Sequence, residues 1–330
     1  MVHPVANLTL LPSNRPPERF YRGGQRITSF RGESAALERE PEDWVASTTT
    51  LNGETALGLS SLPDGHTLLE AITRAPVDWL GADHLARYGA DPRLLVKLLD
   101  AGERLPVHAH PSGEFASRHL GRAHGKTEAW FILSDGEVHV GLRRDVSPDE
   151  LAELVATQNT GRLLALLHRI NVKAGDVVLV PAGMLHTIGA GVFLVELQEP
   201  EDLSILLEWK DFAIDGARLG HLGLGFGIAL TAVETRARSA GEIANLARPA
   251  GWGASVLPAE ADPFFRLERL AVRGTTTIDA GFAVLIVTDG SISLGALTLP
   301  RGSTLLVPHS AGPLSLSGDG EAVVCRPPAP

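Results

Sequence analysis

The sequence predicts a mainly β protein made of two barrel-like units, the first carrying a helical insertion. Three observations predict it. Many short apolar runs end in turn signals, among them EAWFILSDGEVHVGL, DVVLVPAG, GVFLVELQ, FAVLIVTDGSISLG and STLLVPHS. Short strands at close spacing mark β sandwiches and barrels. The chain also repeats itself: FILSDGEVHVGL (131–142) resembles LIVTDGSISLG (285–295), and each is followed by a glycine, five residues and a proline, in GDVVLVP (175–181) and GSTLLVP (302–308). Finally, the interval from Gly136 to Gly175 exceeds that from Gly290 to Gly302 by roughly the length of a helical stretch, 147–170.

Taken in order, the 330 residues suffice for about two domains of roughly 150 residues. Residues 1–212 are expected to form the first unit, with the insertion near 145–171. A helical linker, 213–252, leads to the second unit, 253–330. TLLEAITRA begins with Thr67 and Glu70 in a capping-box arrangement, with Leu68, Leu69 and Ile72 as its apolar face. DPRLLVKLLDAG reads as a strand ahead of the histidines. SPDELAELVATQ starts on Ser147 as N-cap, with Pro148 and Glu150 behind it, and GRLLALLHRI continues the helical stretch. ALTAVETRARSAGEIANLA supplies the helix of the linker.

Net charge is −10, which disfavours nucleic acid, since phosphate backbones need a clustered positive field. No apolar run reaches the roughly 18 residues of a membrane span. The first twenty residues lack the basic region and apolar core of a signal peptide. Cys325 is the lone cysteine, so no internal disulfide forms; a reducing cytoplasm is the expected location. No protein partner is predicted.

His108 and His110 are two apart, which on a strand puts both imidazoles on one face. Two such histidines with a carboxylate and a third histidine suit a divalent metal in an N/O site. Two glutamates compete for the carboxylate. Glu114 lies in PSGEFASRHLGRAHG, polar and turn-rich, without period-2 alternation. Glu128 opens the strand EAWFILSDG, and Lys126, Glu128 and Trp130 then share one face. Glu128 is therefore assigned. His119, His124, His139, His168 and His221 are read as non-ligands.

Gly102-x5-His108-x-His110 matches the start of the first cupin motif. Gly175-x5-Pro181-x-Gly183-x2-His186 matches the second, with Ala190 where that motif ends in Asn. The fold implied is a pair of double-stranded β-helix, jelly-roll-like barrels. The second carries Pro308-His309-Ser310 where the first has Pro181-Ala182-Gly183, and is expected to hold no metal. LLVKLLDAGERLPVHAHP, GKTEAWFIL, GDVVLVPAGMLHTIGAG and VFLVELQ together resemble type I phosphomannose isomerases over most of the chain.

That resemblance implies a zinc-dependent isomerase interconverting mannose 6-phosphate and fructose 6-phosphate. It implies Gln, His, Glu and His ligands in chain order, here His108, His110, Glu128 and His186, so the first is substituted. Lys97, Lys126 and Glu196 match the family pattern: Lys97 and Lys126 would bind substrate, and Glu196 or Lys126 would carry the proton between C1 and C2. Two departures touch the substrate side. The family's arginine falls on Leu206 and its serine on Pro106; Lys210, Arg118 or Arg122 are candidates to replace the lost charge. The departures leave two further readings open, an isomerase of an unphosphorylated sugar and a non-catalytic metal-containing sugar-binding or regulatory cupin.

Overall fold

The computed structural model describes residues 8–33 and 37–330; residues 1–7, part of the segment expected to carry no signal peptide, lie outside it, as do 34–36. Three sheets, paired antiparallel throughout, form the described chain. The first runs Ala247–Pro249, Asp176–Val180, Glu128–Ile132, Phe193–Gln198, Leu95–Asp100, Glu42–Val45. The second runs Ile205–Leu206, His108–Ala109, His186–Ile188, Gly136–Leu142, Leu167–Val172. The third runs Thr9–Leu10, Thr304–Val307, Ala283–Leu294, Leu314–Arg326, Arg266–Ile278, with Leu297–Pro300 on Ala283–Leu294. This is the mainly β architecture that the short apolar runs predict.

The internal repeat appears as the same ladder built twice. Glu128–Phe131 pairs with Val177–Val180, and Ala283–Ile286 pairs with Thr304–Val307. The copies then diverge. Asp135-Gly136 lies where the chain leaves the first sheet for the second, whereas Ala283–Leu294 runs through Asp289-Gly290 as one strand. A bulge between Val287 and Asp289 interrupts its pairing with Leu314–Arg326. Opposite Val307, the ladder position answering to Glu128 opposite Val180, stands Ala283. A methyl group there ligates nothing.

Two short strands cross the expected boundaries. Thr9–Leu10 pairs with Leu305–Leu306 of the third sheet, and Ala247–Pro249, from the expected linker, pairs with Asp176–Val178 of the first. Each covers a sheet edge that would otherwise present unpaired backbone. The two units also share packing: Val284 and Ile286 join the core that holds Trp130, Val178 and Leu98, while Ala283, Leu285 and Val287 face a separate interior.

The capping signals hold. Thr67 and Glu70 form both halves of the box ahead of Leu68–Arg74, and Ser147 accepts from the Glu150 amide ahead of Pro148–Thr157. The insertion helices bury Leu151, Leu154, Val155 and Leu163 against Val107, Ala109 and Leu207. Helix ends at Leu166, not within HRI: Leu167–Val172 alternates in burial and pairs with Gly136–Leu142. The segment 229–247 is likewise not one helix but short pieces, Phe226–Ala229, Leu230–Ala232 and Ala240–Leu246, the last capped by Ser239 and Glu242.

Gly102, which opens the first motif, touches backbone. A Cβ there would lie 2.2 Å from the Gly23 carbonyl oxygen, while its own amide donates to Arg22 at 3.0 Å. Gly102→Ala is expected to lower the unfolding free energy by about 1–3 kcal/mol, since neither strand of backbone can give way cheaply. Urea denaturation measures it; an unchanged midpoint would contradict the packing described.

Candidate active site

Register builds the site. Across the first sheet, Trp44 sits opposite Lys97, Lys97 opposite Glu196, and Glu196 opposite Trp130. Opposed residues share a face, so Lys97, Glu196 and Trp130 point the same way, and Glu128 joins them two residues before Trp130. Across the second sheet, Leu206 sits opposite His108 and His108 opposite His186. The two rows meet between the sheets. The loop after Pro181 is drawn in by the Gly183 amide donating to the His110 carbonyl at 2.7 Å.

Each histidine offers the same nitrogen to the centre. Nδ1 of His108 faces the Pro106 carbonyl at 2.8 Å, that of His110 the Leu203 carbonyl at 2.7 Å, and that of His186 the Met184 carbonyl at 2.8 Å. A nitrogen facing a carbonyl carries the proton, which leaves Nε2 as a lone pair. Burial pushes His108 far below the ordinary imidazole range, with His186 and His110 adding to it; burial and then the Lys126 ammonium lower His110 to about 3. Those two rings are neutral at pH 7.

The three histidines' ligand atoms lie within 4.8 Å of one another. Glu128 completes the group, Oε2 3.0 Å from His110 Nε2 and Oε1 3.3 Å from His186 Nε2. Burial opposes its charge, yet Lys126 and then His110 hold its carboxyl well below the carboxylate range. Trp130 Nε1 donates to Oε1 at 3.0 Å and fixes the carboxylate plane.

Converging buried acceptors need a cation. Lys126 answers part of that demand, contacting Glu128 Oε2 and lying 2.8 Å from His110 Nε2, while His186 Nε2 has no hydrogen-bond partner. Three imidazole nitrogens and one carboxylate fit a divalent ion of the zinc type. Backbone carbonyls on every Nδ1 provide the outer support that such ligands use.

A narrow cleft opens beside this group, lined among others by Arg19, Tyr21, Glu42, Lys97, Glu196, Asp202 and Ser204. Its open volume is about 430 Å³. Glu42 is the hub of its far wall. It accepts from Tyr21 Oη and from Trp44 Nε1 at 2.6 Å, and pairs with Arg19 at 3.2 Å and Lys97 at 3.5 Å. Burial alone would raise its carboxyl; Arg19 and Lys97 overturn that and hold it far below the usual range. Lys97 lies 3.4 Å from Glu196, whose pKa is raised by burial and then by Glu128.

Glu42→Gln would leave Arg19 with Asp202 and Lys97 with Glu196. The expected cost is about 3 kcal/mol, the low end for breaking a buried pair, because each cation keeps one partner. Thermal unfolding tests it; a loss no larger than that of a surface substitution would show the hub to be idle.

The structure thus brings together His108, His110, Glu128, His186, Lys97, Lys126 and Glu196. Glu114 lies on the helix Gly113–Leu120, exposed and paired with Arg118 at 2.7 Å. The other histidines lie elsewhere: His124 on Asp91, His168 on the Arg238 carbonyl, His139 near Glu137, His119 against Phe115, His221 against Phe226. The candidates for a replacement charge do not line the cleft. Arg118 is taken by Glu114, Arg122 turns to Glu201 and Asn52, and Lys210 lines a separate surface pocket with Asp211 and Glu103. Arg19, Tyr21, Glu42, Asp202 and Ser204 were invisible to motif reading. For Asp202 and Ser204 the signal is present, a two-residue step leading to Leu206 in the strand beside His108. For Arg19, in a proline-rich loop without periodicity, no signal exists.

No protein-family model matches the chain. A mannose-6-phosphate isomerase from Streptococcus mutans is 27% identical over 319 residues, spanning 91% of this chain and 93% of its own. One from Bacillus subtilis is 32% identical over 195 residues, 58% of this chain and 57% of its own. The solved mannose 6-phosphate isomerase of Bacillus subtilis superposes with a TM-score of 0.72 at 23% identity, covering 96% of this chain and 98% of the other. The apo form from Salmonella typhimurium gives 0.73 at 15%, covering 98% of this chain and 100% of the other. These last two likenesses speak to the fold.

Proposed function

We propose that this chain, a divergent member of the type I phosphomannose isomerase family, interconverts mannose 6-phosphate and fructose 6-phosphate as a metal-dependent aldose–ketose isomerase. One observation carries the reading: three lone-pair imidazole nitrogens and a carboxylate converge beside a cleft that also holds Glu196, Lys97 and Lys126. The relatives' names give the substrate pair.

His108, His110, Glu128 and His186 would hold the ion, and zinc suits that donor set. When bound, the ion supplies positive charge that stabilises charge developing on the sugar oxygens. The protein's own groups do the rest. Glu196 takes the proton from C2 of the open-chain aldose and returns it to C1, while the proton of O2 passes to O1; the reverse reaction runs the same transfers backwards. Its raised pKa brings it nearer to the operating pH than an ordinary carboxylate, as a shuttling base requires. Lys97, 3.4 Å away, and Lys126, 3.9 Å away, orient it and present ammonium donors to the substrate. The narrowness of the cleft limits water around the reacting carbons. A cytoplasmic enzyme acting on a soluble sugar, without nucleic acid, membrane or protein partner, completes the proposal. No helix among the described residues is long and apolar enough to cross a membrane.

One observation favours a second reading, an unphosphorylated sugar as substrate: Leu206, directly opposite His108, offers an anion nothing. The test is a panel of free and phosphorylated hexoses with zinc-loaded protein in deuterated water. Deuterium entering C2 of mannose 6-phosphate, with fructose 6-phosphate appearing, is the expected result. Saturable sugar binding with no exchange would instead identify a binding protein.

A further inference from the structure

We propose that Arg19 is the anion-reading residue of the cleft, and that Asp202 holds its guanidinium in place until the phosphate of the substrate displaces that carboxylate. This rests on the isomerase reading above and names the group that recognises the substrate's charge.

Among the described residues, three cations line the cleft. Lys126 contacts Glu128 and His110 at the imidazole group, and Lys97 lies between Glu42 and Glu196. Arg19 is held differently. Its Nε donates to Glu42 at 3.2 Å, which anchors the guanidinium plane. Its two terminal nitrogens face the two oxygens of Asp202 at 3.4 and 3.5 Å. A charge-assisted fork normally closes to about 2.7–2.9 Å. The fork on Asp202 is therefore correctly aimed and poorly closed. A guanidinium aimed in this way presents the geometry that grips phosphate with two parallel bonds.

Asp202 is equipped to be displaced. It also accepts from the Asn52 amide at 3.2 Å, so it keeps a donor when the fork leaves it. The segment carrying it also carries Ser204, which lines the same cleft. Arg19 itself is nearly buried, 11% exposed, and is the one guanidinium lining the cleft among the described residues. Its charge stands in a cleft where Pro106 supplies none.

The experiment uses full-length zinc-loaded protein, wild type and the variants Arg19→Lys, Arg19→Ala and Asp202→Asn. Mannose 6-phosphate and free mannose are assayed side by side, and binding of inorganic phosphate is measured by calorimetry. Arg19→Lys is expected to lower kcat/KM for mannose 6-phosphate by about 10- to 100-fold, mostly through KM, a clearly larger loss than the one for free mannose. Asp202→Asn is expected to tighten phosphate binding, because the competing carboxylate is gone. Arg19→Ala deprives Glu42 and Asp202 of a shared cation; if it fails to fold, the lysine variant decides. Equal losses for both sugars in Arg19→Lys, or phosphate binding unmoved in Asp202→Asn, would overturn the proposal. Wild-type protein that isomerises mannose but ignores mannose 6-phosphate also overturns it, and leaves the isomerase reading standing. Exchange with neither sugar removes both.

Discussion

Replacing Glu128 by glutamine is expected to strip the protein of its divalent ion and to cut turnover by about 10³-fold or more. The carboxylate is the one anionic member of the donor group, and the rest of that group is imidazole. Glutamine keeps the shape of the side chain and an oxygen for the Trp130 indole. The change therefore removes charge without opening a cavity. What it removes is worth several kcal/mol of stabilisation at the substrate oxygens, and each 1.4 kcal/mol is tenfold in rate. The measurement is metal content after dialysis, set beside turnover and circular dichroism of the same sample. A folded, metal-free variant that still isomerises sugar would end the metal-centred account. His110→Ala should behave alike, with a larger loss of stability because it empties a buried site.

Glu196→Gln is expected to do the opposite to the metal and much the same to the rate. The ion should stay, since Glu196 lies outside the donor group. Turnover and C2 exchange should both fall by about 10²- to 10⁴-fold, the usual contribution of a positioned acid–base group. The buried carboxylate has an oxygen with no hydrogen-bond donor, 3.4 Å from one ammonium and 3.9 Å from another. That is the arrangement of a group kept ready rather than spent on structure. Lys126→Met separates the alternatives. If exchange survives in Glu196→Gln and vanishes in Lys126→Met with metal still bound, the lysine is the base.

Much of this site was legible in the chain because it lies on strands or on the extended residues next to them. His108 and His110, the choice of Glu128 over Glu114, and the sharing of a face by Lys126, Glu128 and Trp130 all follow from period two. So does the recurrence of the glycine–proline ladder, because its strands pair in the same way in both halves. What stayed hidden lies off the strands or depends on partners far away in sequence. Glu42 sits in a short strand whose charge makes sense only once Arg19, Tyr21 and Lys97 surround it. The helical reading of GRLLALLHRI runs too far for a local reason: no turn signal separates LLALL from HRINV, and only the partner strand Gly136–Leu142 makes the second β structure. The expected division at residues 1–212 and 253–330 remains a proposal, and the edge strands that cross it show how far sheet edges override linear order.

That crossing has a bearing on the cleft. Leu11 exchanges bonds with Thr304 through amide, carbonyl and hydroxyl, and Arg31 reaches both residues. The stretch between them, which bears Arg19 and Tyr21, is therefore moored at both ends to the half of the molecule that carries no ligand histidine. Severing the chain near residue 250 would spare every member of the imidazole group and cast one wall of the sugar's berth adrift.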